Sequence, residues 1–231
     1  MQRIFCPKHK ERTPSVVIYD THAWCFGGCG RIELSDLGSV YQQPSSTPPP
    51  VDLRADLERI NNLPRASVRG LNLPVDGDSY YIVWPEGTYY KRRKFFAEDG
   101  SKYLCPRGHK KPLLVARKGK SKENLVIIEG EIEALTLAGI NGNYDIVSPG
   151  GVGSFKEGSW LNQVLTYKRF CIIVDKDNPG FKAAVELKRV LLKRSPYVDI
   201  VFKDKTCDIN DILVKHGKEA LEKFCERIKF N

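Results

Sequence analysis

Two short apolar runs, each stopped by acids, constrain the fold of this chain more than any other feature. Leu125 to Ala138 reads LVIIEGEIEALTLA, and Cys171 to Asp177 reads CIIVDKD. The first run ends at Glu129, the second at Asp175 and Asp177. In a parallel α/β sheet, chemistry collects at the carboxyl edge of the strands, so neighbouring strands with these endings bring three carboxylates to one crevice. Carboxylates at close range repel one another. In a partly dry cleft they take up protons or hold a hard divalent cation, Mg²⁺ or Mn²⁺.

The surrounding pattern extends this into an α/β domain over residues 125–231. Leu125 to Ile128 predicts a buried strand, Gly130 a turn, and Glu131 to Ala138 a helix ended by Gly139. Asp145 to Val147 predicts a strand running into a glycine-rich segment, 148–154, which is either a phosphate-binding loop or a plain turn. Arg169 to Val174 is the second key strand. Pro179 opens a helix to Arg194, with Phe181, Ala184, Val185 and Leu191 available for burial. Val198 to Phe202 is a further strand, Asp208 and Asp211 follow it, and Lys218 to Ile228 closes the chain as a helix. Strands alternating with helices imply a parallel sheet with right-handed crossovers. Asp175 and Asp177 lie two apart, on one side of an extended backbone. An isolated Asp-x-Asp is equally a solvated loop, but acids after three separate strands favour a cation site. Of the two glutamates beyond Glu129, Glu133 is the better placed to help it, because Glu131 points elsewhere on the helix.

Charge is distributed unevenly. The 231 residues carry 37 Lys and Arg against 28 Asp and Glu, a formal +9. Lys91 to Lys122 alone holds twelve basic residues and two acids, so the rest of the chain is close to neutral. Within 52–124, a short helix at Asp52 to Leu63 precedes strands in YYIVW, TYYKRRKFF and KYL. There Lys91, Arg92, Arg93, Lys94, Lys102, Arg107, Lys110 and Lys111 alternate with aromatics, Tyr103 among them. A strand surface with cations beside aromatic faces follows a sugar-phosphate backbone without reading sequence. A solvated sheet face would intersperse acids, which this window lacks.

Residues 1–40 carry Cys6 and His9, then Cys25 and Cys29, around the strand-forming Ser15 to Tyr19. Two short-spaced ligand pairs are what a zinc ribbon uses to hold Zn²⁺ tetrahedrally, and a segment with so few large apolar residues needs such a staple. His22 competes with His9 for the fourth position. Trp24 and Phe26 either stack on bases or pack the small core. Seven cysteines, unevenly spaced, point to metal ligands and core thiols in a reducing, cytoplasmic setting. Cys105 and His109 lack a second ligand pair. Residues 41–51, containing QQPSSTPPP, predict a semi-extended linker. No window approaches the ~20 apolar residues of a membrane span, and the first residues lack the apolar core of a signal peptide.

These parts, in this order, resemble the zinc-binding DNA primases, the bacterial replicative primases and the primase halves of phage primase-helicases. CPKHKERTPS is similar to the family's opening Cys-Pro-x-His-x-Glu-x-x-Pro-Ser, and WCFGGCG to its Cys-Phe-x-Cys-Gly turn, here with one extra residue between the cysteines. KYLCPRG resembles the Lys-Tyr-Leu stretch, with Cys105 where the family has Asn or Ser. VIIEGEIEAL and IIVDKDNPG resemble the two Toprim signatures. The resemblance implies a zinc ribbon, a basic α+β subdomain and a Toprim-type parallel α/β domain. It implies RNA primers made from ribonucleoside triphosphates on single-stranded DNA, with Glu129, Asp175 and Asp177 catalytic and Asp208 and Asp211 sharing the magnesium. No helicase domain or docking tail follows Asn231, so recruitment to a fork is expected either to come from elsewhere, a separate replicative helicase being one candidate partner, or to be absent. The alternatives are an inactive primase-like DNA binder and a Toprim nuclease.

Overall fold

The structure, a computed structural model, describes residues 3–10, 15–19, 22–40, 50–96, 103–119, 123–151, 154, 158–203 and 208–230. The chain divides into two compact units, Met1–Pro49 and Pro50–Asn231. Lys102 and most of the expected linker lie outside the described residues.

The first unit is a four-stranded antiparallel meander: β1 (Arg3–Ile4), β2 (Val16–Ile18), β3 (Ala23–Cys25) and β4 (Gly30–Ile32). Among the described residues its core cluster is Cys6, Val16, Ala23, Cys25, Ile32 and Leu37, with Val17 also buried. Trp24 and Phe26 are exposed and take no part in that core.

The second unit begins with α1 (Leu53–Asn61), whose first turn is capped by Asp52 accepting from the Arg54 and Ala55 amides. Leu57 and Ile60 are buried from this helix against Tyr81 and Tyr90. A five-stranded antiparallel sheet follows in sequence order: β5 (Arg65–Val68), β6 (Leu71–Asp76), β7 (Ser79–Val83), β8 (Tyr90–Lys94) and β9 (Tyr103–Leu104). The first hairpin was not foreseen, because its turn places Arg69 at φ +51° before Gly70 at φ +73°, and a non-glycine residue seldom adopts that backbone.

The remaining strands form the α/β layer: β10 (Leu114–Arg117), β11 (Asn124–Ile128), β12 (Asp145–Ser148), β13 (Arg169–Val174) and β14 (Tyr197–Phe202), in the order β10-β12-β11-β13-β14. Four strands are parallel as anticipated. β10 adds an antiparallel edge beside β12, so the sheet begins ahead of residue 125. Strand residues alternate between two cores. Val126, Ile128, Cys171 and Ile173 face α2 (Glu131–Ala138), α4 (Ile209–Cys225) and the antiparallel sheet. Leu125, Ile127, Phe170, Ile172 and Val174 face α3 (Asn178–Leu191).

Two helix expectations need correction. α3 buries Ala183, Ala184, Leu187 and Leu191, whereas Phe181 is 50% exposed and stacks on Phe202. α4 breaks at Gly217, φ +82°, so its second segment does start at Lys218 as read from the sequence; the segment before the break, from Ile209, was not foreseen, and the helix ends at Cys225, short of Ile228. Among the described residues, no helix is long and apolar enough to cross a membrane.

Candidate functional site

The chain passes from β11 to β12 on one side, then crosses back to β13 on the other side of β11. The strand order therefore reverses between β11 and β13, where open α/β sheets form their ligand crevice. Ile128 is paired with Ile173, so the strands end together. Glu129 follows one and Asp175 the other.

Glu129 feels this neighbourhood. Burial, then the Asp175 carboxylate and more weakly Glu133 and Asp177, push its carboxyl up to about 7 against the partial opposition of Lys203. Its Oε2 is buried and has no hydrogen-bond partner among the described residues. A buried, unpartnered carboxylate oxygen beside other acids fits a cation site. The only group whose ligand atoms already converge within 4.8 Å, among the described residues, is nevertheless a different one, in the first unit.

The other acids are partnered. Asp177 caps α3 by accepting from the Gly180 amide at 2.7 Å. A Cβ on Gly180 would meet Asp177 Oδ1 at 2.8 Å, so the glycine permits this close cap. Asp208 caps α4, accepting from the Asp211 amide at 2.6 Å, and is bound by the Arg69 guanidinium at 3.0 Å. Asp211 is paired with Lys215 at 2.8 Å. Asp208 and Asp211 thus face side-chain cations.

The sequence reading missed Lys203. It directly follows β14 at the same strand edge, is 3% exposed, and places Nζ 2.5 Å from Glu133 Oε1 and 2.7 Å from Asp175 Oδ1. Burial alone would lower its pKa, but Glu133 and Asp175 outweigh that and raise it, so it is an ammonium ion. Inspecting the residue after the last strand, as was done for Glu129 and Asp175, would have found it. Glu133 does join the acid edge, and also accepts from the Ile209 amide at 3.3 Å.

Glu131 turns the other way, to Lys91 of β8 and Lys111. Lys91 is only 8% exposed, so it cannot belong to a freely solvated cationic track; its charge is spent holding α2 to the antiparallel sheet. Lys111 is half-buried, which lowers its pKa, and donates to the Gly150 carbonyl at 3.0 Å. Arg93 shares Lys91's strand face. Its guanidinium lies 5.0 Å and the Lys91 ammonium 4.8 Å from the centre of the exposed Tyr103 ring. This aromatic-cation group is what remains of the foreseen platform on that face. On the opposite face, Arg92 pairs with Asp78, and Arg107 and Lys110 are exposed. In the glycine-rich segment the Gly151 amide donates to the Glu129 carbonyl and the Gly150 amide to Ser148 Oγ. Both amides serve the turn, not an external phosphate.

In the first unit, Cys6, His9, Cys25 and Cys29 present ligand atoms all within 4.8 Å of one another. Cys6 Sγ is 3.8 Å from Cys29 Sγ, and His9 Nδ1 is 3.1 Å from Cys29 Sγ and 4.0 Å from Cys25 Sγ. Tetrahedral zinc with sulfur bonds of about 2.3 Å separates its sulfurs by about 3.8 Å, so the donor set fits Zn²⁺. Burial raises the Cys25 thiol, but hydrogen bonds from Ser15 and the Cys29 and Gly27 amides bring it down to about 6, favouring the ligating thiolate. His22 is outside the group and stacks on Tyr19 with ring centres 5.0 Å apart.

A Toprim-like family model matches residues 126–213, the stretch holding all the strand-end acids. No curated protein matches the chain. Among solved structures it is similar to the zinc-binding and RNA polymerase domains of the Aquifex aeolicus primase, with 23% identity, TM-score 0.49, and coverage of 76% of this chain and 46% of that one. A DNA primase domain from Pseudomonas aeruginosa gives 19%, 0.46, 77% and 60%, and the RNA polymerase domain of Mycobacterium tuberculosis primase DnaG gives 17%, 0.49, 77% and 63%. The chain therefore spans about half to three-fifths of the length of these proteins.

Proposed function

We propose that the chain is a DNA primase that joins ribonucleotides on single-stranded DNA, the 3′ hydroxyl of one attacking the α-phosphate of the next and pyrophosphate leaving. The observation that carries this reading is the meeting of Glu129 and Asp175 at the carboxyl ends of adjacent parallel strands, at the strand-order reversal of a Toprim-like segment. The sequence motifs of the ribbon and the Lys-Tyr-Leu stretch add the polymerising context.

Glu129, Asp175 and Asp177 are the residues that would hold Mg²⁺ or Mn²⁺; Asp208 and Asp211, which the resemblance offers as further ligands, would lie on the triphosphate side with Arg69 and Lys215 as their cations. A bound divalent ion supplies charge neutralisation at the phosphates and acidifies the attacking hydroxyl. Glu129 would support the attacking hydroxyl, as a ligand of the ion or as the base that takes its proton. Asp175 is held in orientation by Lys203. Arg93 and Tyr103 offer a charge and a stacking face to template or nucleotide, joined by Arg92, Lys94, Lys102, Arg107, Lys110 and Lys111 around the small sheet. Lys91 supports that surface by fixing α2 to β8. The zinc-stapled ribbon, tethered through 41–51, selects the start site. Within a cytoplasm, a separate replicative helicase would bring the enzyme to the fork.

A second reading, an inactive primase-like DNA binder, is favoured by the side-chain cations that occupy Asp175 and Asp208. A gel assay with single-stranded DNA, labelled ribonucleotides and Mg²⁺ or Mn²⁺ separates the possibilities. Short labelled RNA identifies a primase, intact DNA without product a binder, and cut DNA a nuclease.

A further inference from the structure

Lys203 joins two carboxylates of the acid edge. Two carboxylates, Glu133 and Asp175, share its ammonium group at 2.5 and 2.7 Å in a position that is 3% exposed. Bridging two neighbouring carboxylates, here the buried Glu133 and the half-exposed Asp175, is a task that hard metal ions perform in such clusters. The outer pair is treated likewise: Arg69 lies 3.0 Å from Asp208 and 3.9 Å from Asp211, and Lys215 completes Asp211. Glu129 differs, because its buried Oε2 has no hydrogen-bond partner among the described residues. Side-chain cations thus serve one end of the acid edge and leave the other to be served from outside.

We propose that Lys203 is a built-in cation standing in for one divalent ion, so that the acid edge takes a single Mg²⁺ or Mn²⁺, at Glu129 with the remaining Asp175 oxygen and Asp177. The inference rests on the metal-dependent reading above and deepens it. Lys203 is a positioning residue: it holds Asp175 in place and keeps Glu133 from recruiting a second ion. The ammonium is fixed by the fold, whereas a metal ion must be captured from solution, so one of the two positive charges is present before any ligand arrives.

The test counts ions and needs no turnover. Zinc-loaded protein is titrated with Mn²⁺ while free Mn²⁺ is followed by electron paramagnetic resonance. The wild type and Lys203→Arg should each bind one Mn²⁺ per chain, and Lys203→Met should gain a second saturable site. Two ions in the wild type, or one in a folded Lys203→Met protein, would overturn the proposal. Circular dichroism reports whether Lys203→Met folds; if it does not, the wild type and Lys203→Arg decide, one ion in each supporting the proposal and two in either refuting it. No bound Mn²⁺, or binding indifferent to Glu129→Gln, would bring down the metal-dependent reading together with this inference, whereas two ions would bring down the inference alone.

Discussion

Arg69 reaches Asp208 across 139 residues of sequence, its Nη2 3.0 Å from the carboxylate that caps α4. The same side chain donates from Nε to Asn210 Oδ1 at 2.6 Å, and the Asn210 amide donates back to the Arg69 carbonyl. The antiparallel sheet is thereby fastened to the acid edge of the α/β layer. Arg69→Ala removes the two bonds its guanidinium donates and leaves Oδ1 of the buried Asn210 without that donor, while the bond to the residue 69 carbonyl remains. A loss of about 2 kcal/mol is expected, the scale of hydrogen bonds to charged groups. Lysine should not restore it, because an ammonium cannot span two separate acceptors as a guanidinium does. Urea unfolding midpoints of the wild type, Arg69→Ala and Arg69→Lys measure both effects.

Lys91 and Arg93 share a strand face but should respond oppositely to removal. Lys91→Met leaves the buried Glu131 with only the more distant Lys111 at 3.7 Å and should cost up to about 3 kcal/mol, the low end for breaking a buried pair. The double variant Lys91→Met, Glu131→Gln should recover much of that loss. Arg93→Ala and Tyr103→Ala should leave the melting temperature nearly unchanged while weakening single-stranded DNA binding severalfold, as loss of a stacking contact of about 1–3 kcal/mol would. Thermal melts and fluorescence anisotropy on the same four proteins separate the two roles.

These contrasts mark where sequence reading stops. Glu129, Asp175 and the Cys6, His9, Cys25, Cys29 group were legible because each is tied to a local pattern, an apolar run that ends or a short ligand spacing. Lys203 and Arg69 are defined by partners up to 141 residues away, which no local pattern records. The alternation of charges and aromatics in Tyr90–Lys94 likewise announced a strand, yet could not tell that Lys91 faces a glutamate on α2 while Arg92 faces Asp78. The edge strand β10 was hidden in the basic stretch, where a run as short as Leu114–Arg117 does not stand out from its flanks.

Glu129 makes the stability of the metal-free protein depend on pH. Its folded pKa of about 7 lies above the ordinary value of 4.5. Between those values the folded chain holds a proton that the unfolded chain has released, so the contribution of Glu129 to stability is fully present below about 4.5 and is lost as pH rises through about 7. Glu129→Gln should abolish this decline. Denaturant unfolding in the presence of a chelator weak enough to spare zinc, at closely spaced pH values, compares the two proteins.

The ribbon should depend on its metal. With a core cluster of six residues among those described, the first unit has little else to hold it. Cys25→Ser or Cys29→Ser should lower the zinc content from one per chain towards none and expose residues 3–40 to protease, while the Pro50–Asn231 unit retains its melting transition. Atomic absorption and limited proteolysis report these outcomes independently.

The most direct test of the whole account is Asp175→Ala, assayed for both oligoribonucleotide synthesis and single-stranded DNA binding on one preparation. The account predicts that synthesis is abolished and binding survives, because Asp175 serves the acid edge and Arg93 with Tyr103 serve the DNA. Synthesis persisting in the Asp175→Ala protein would contradict it.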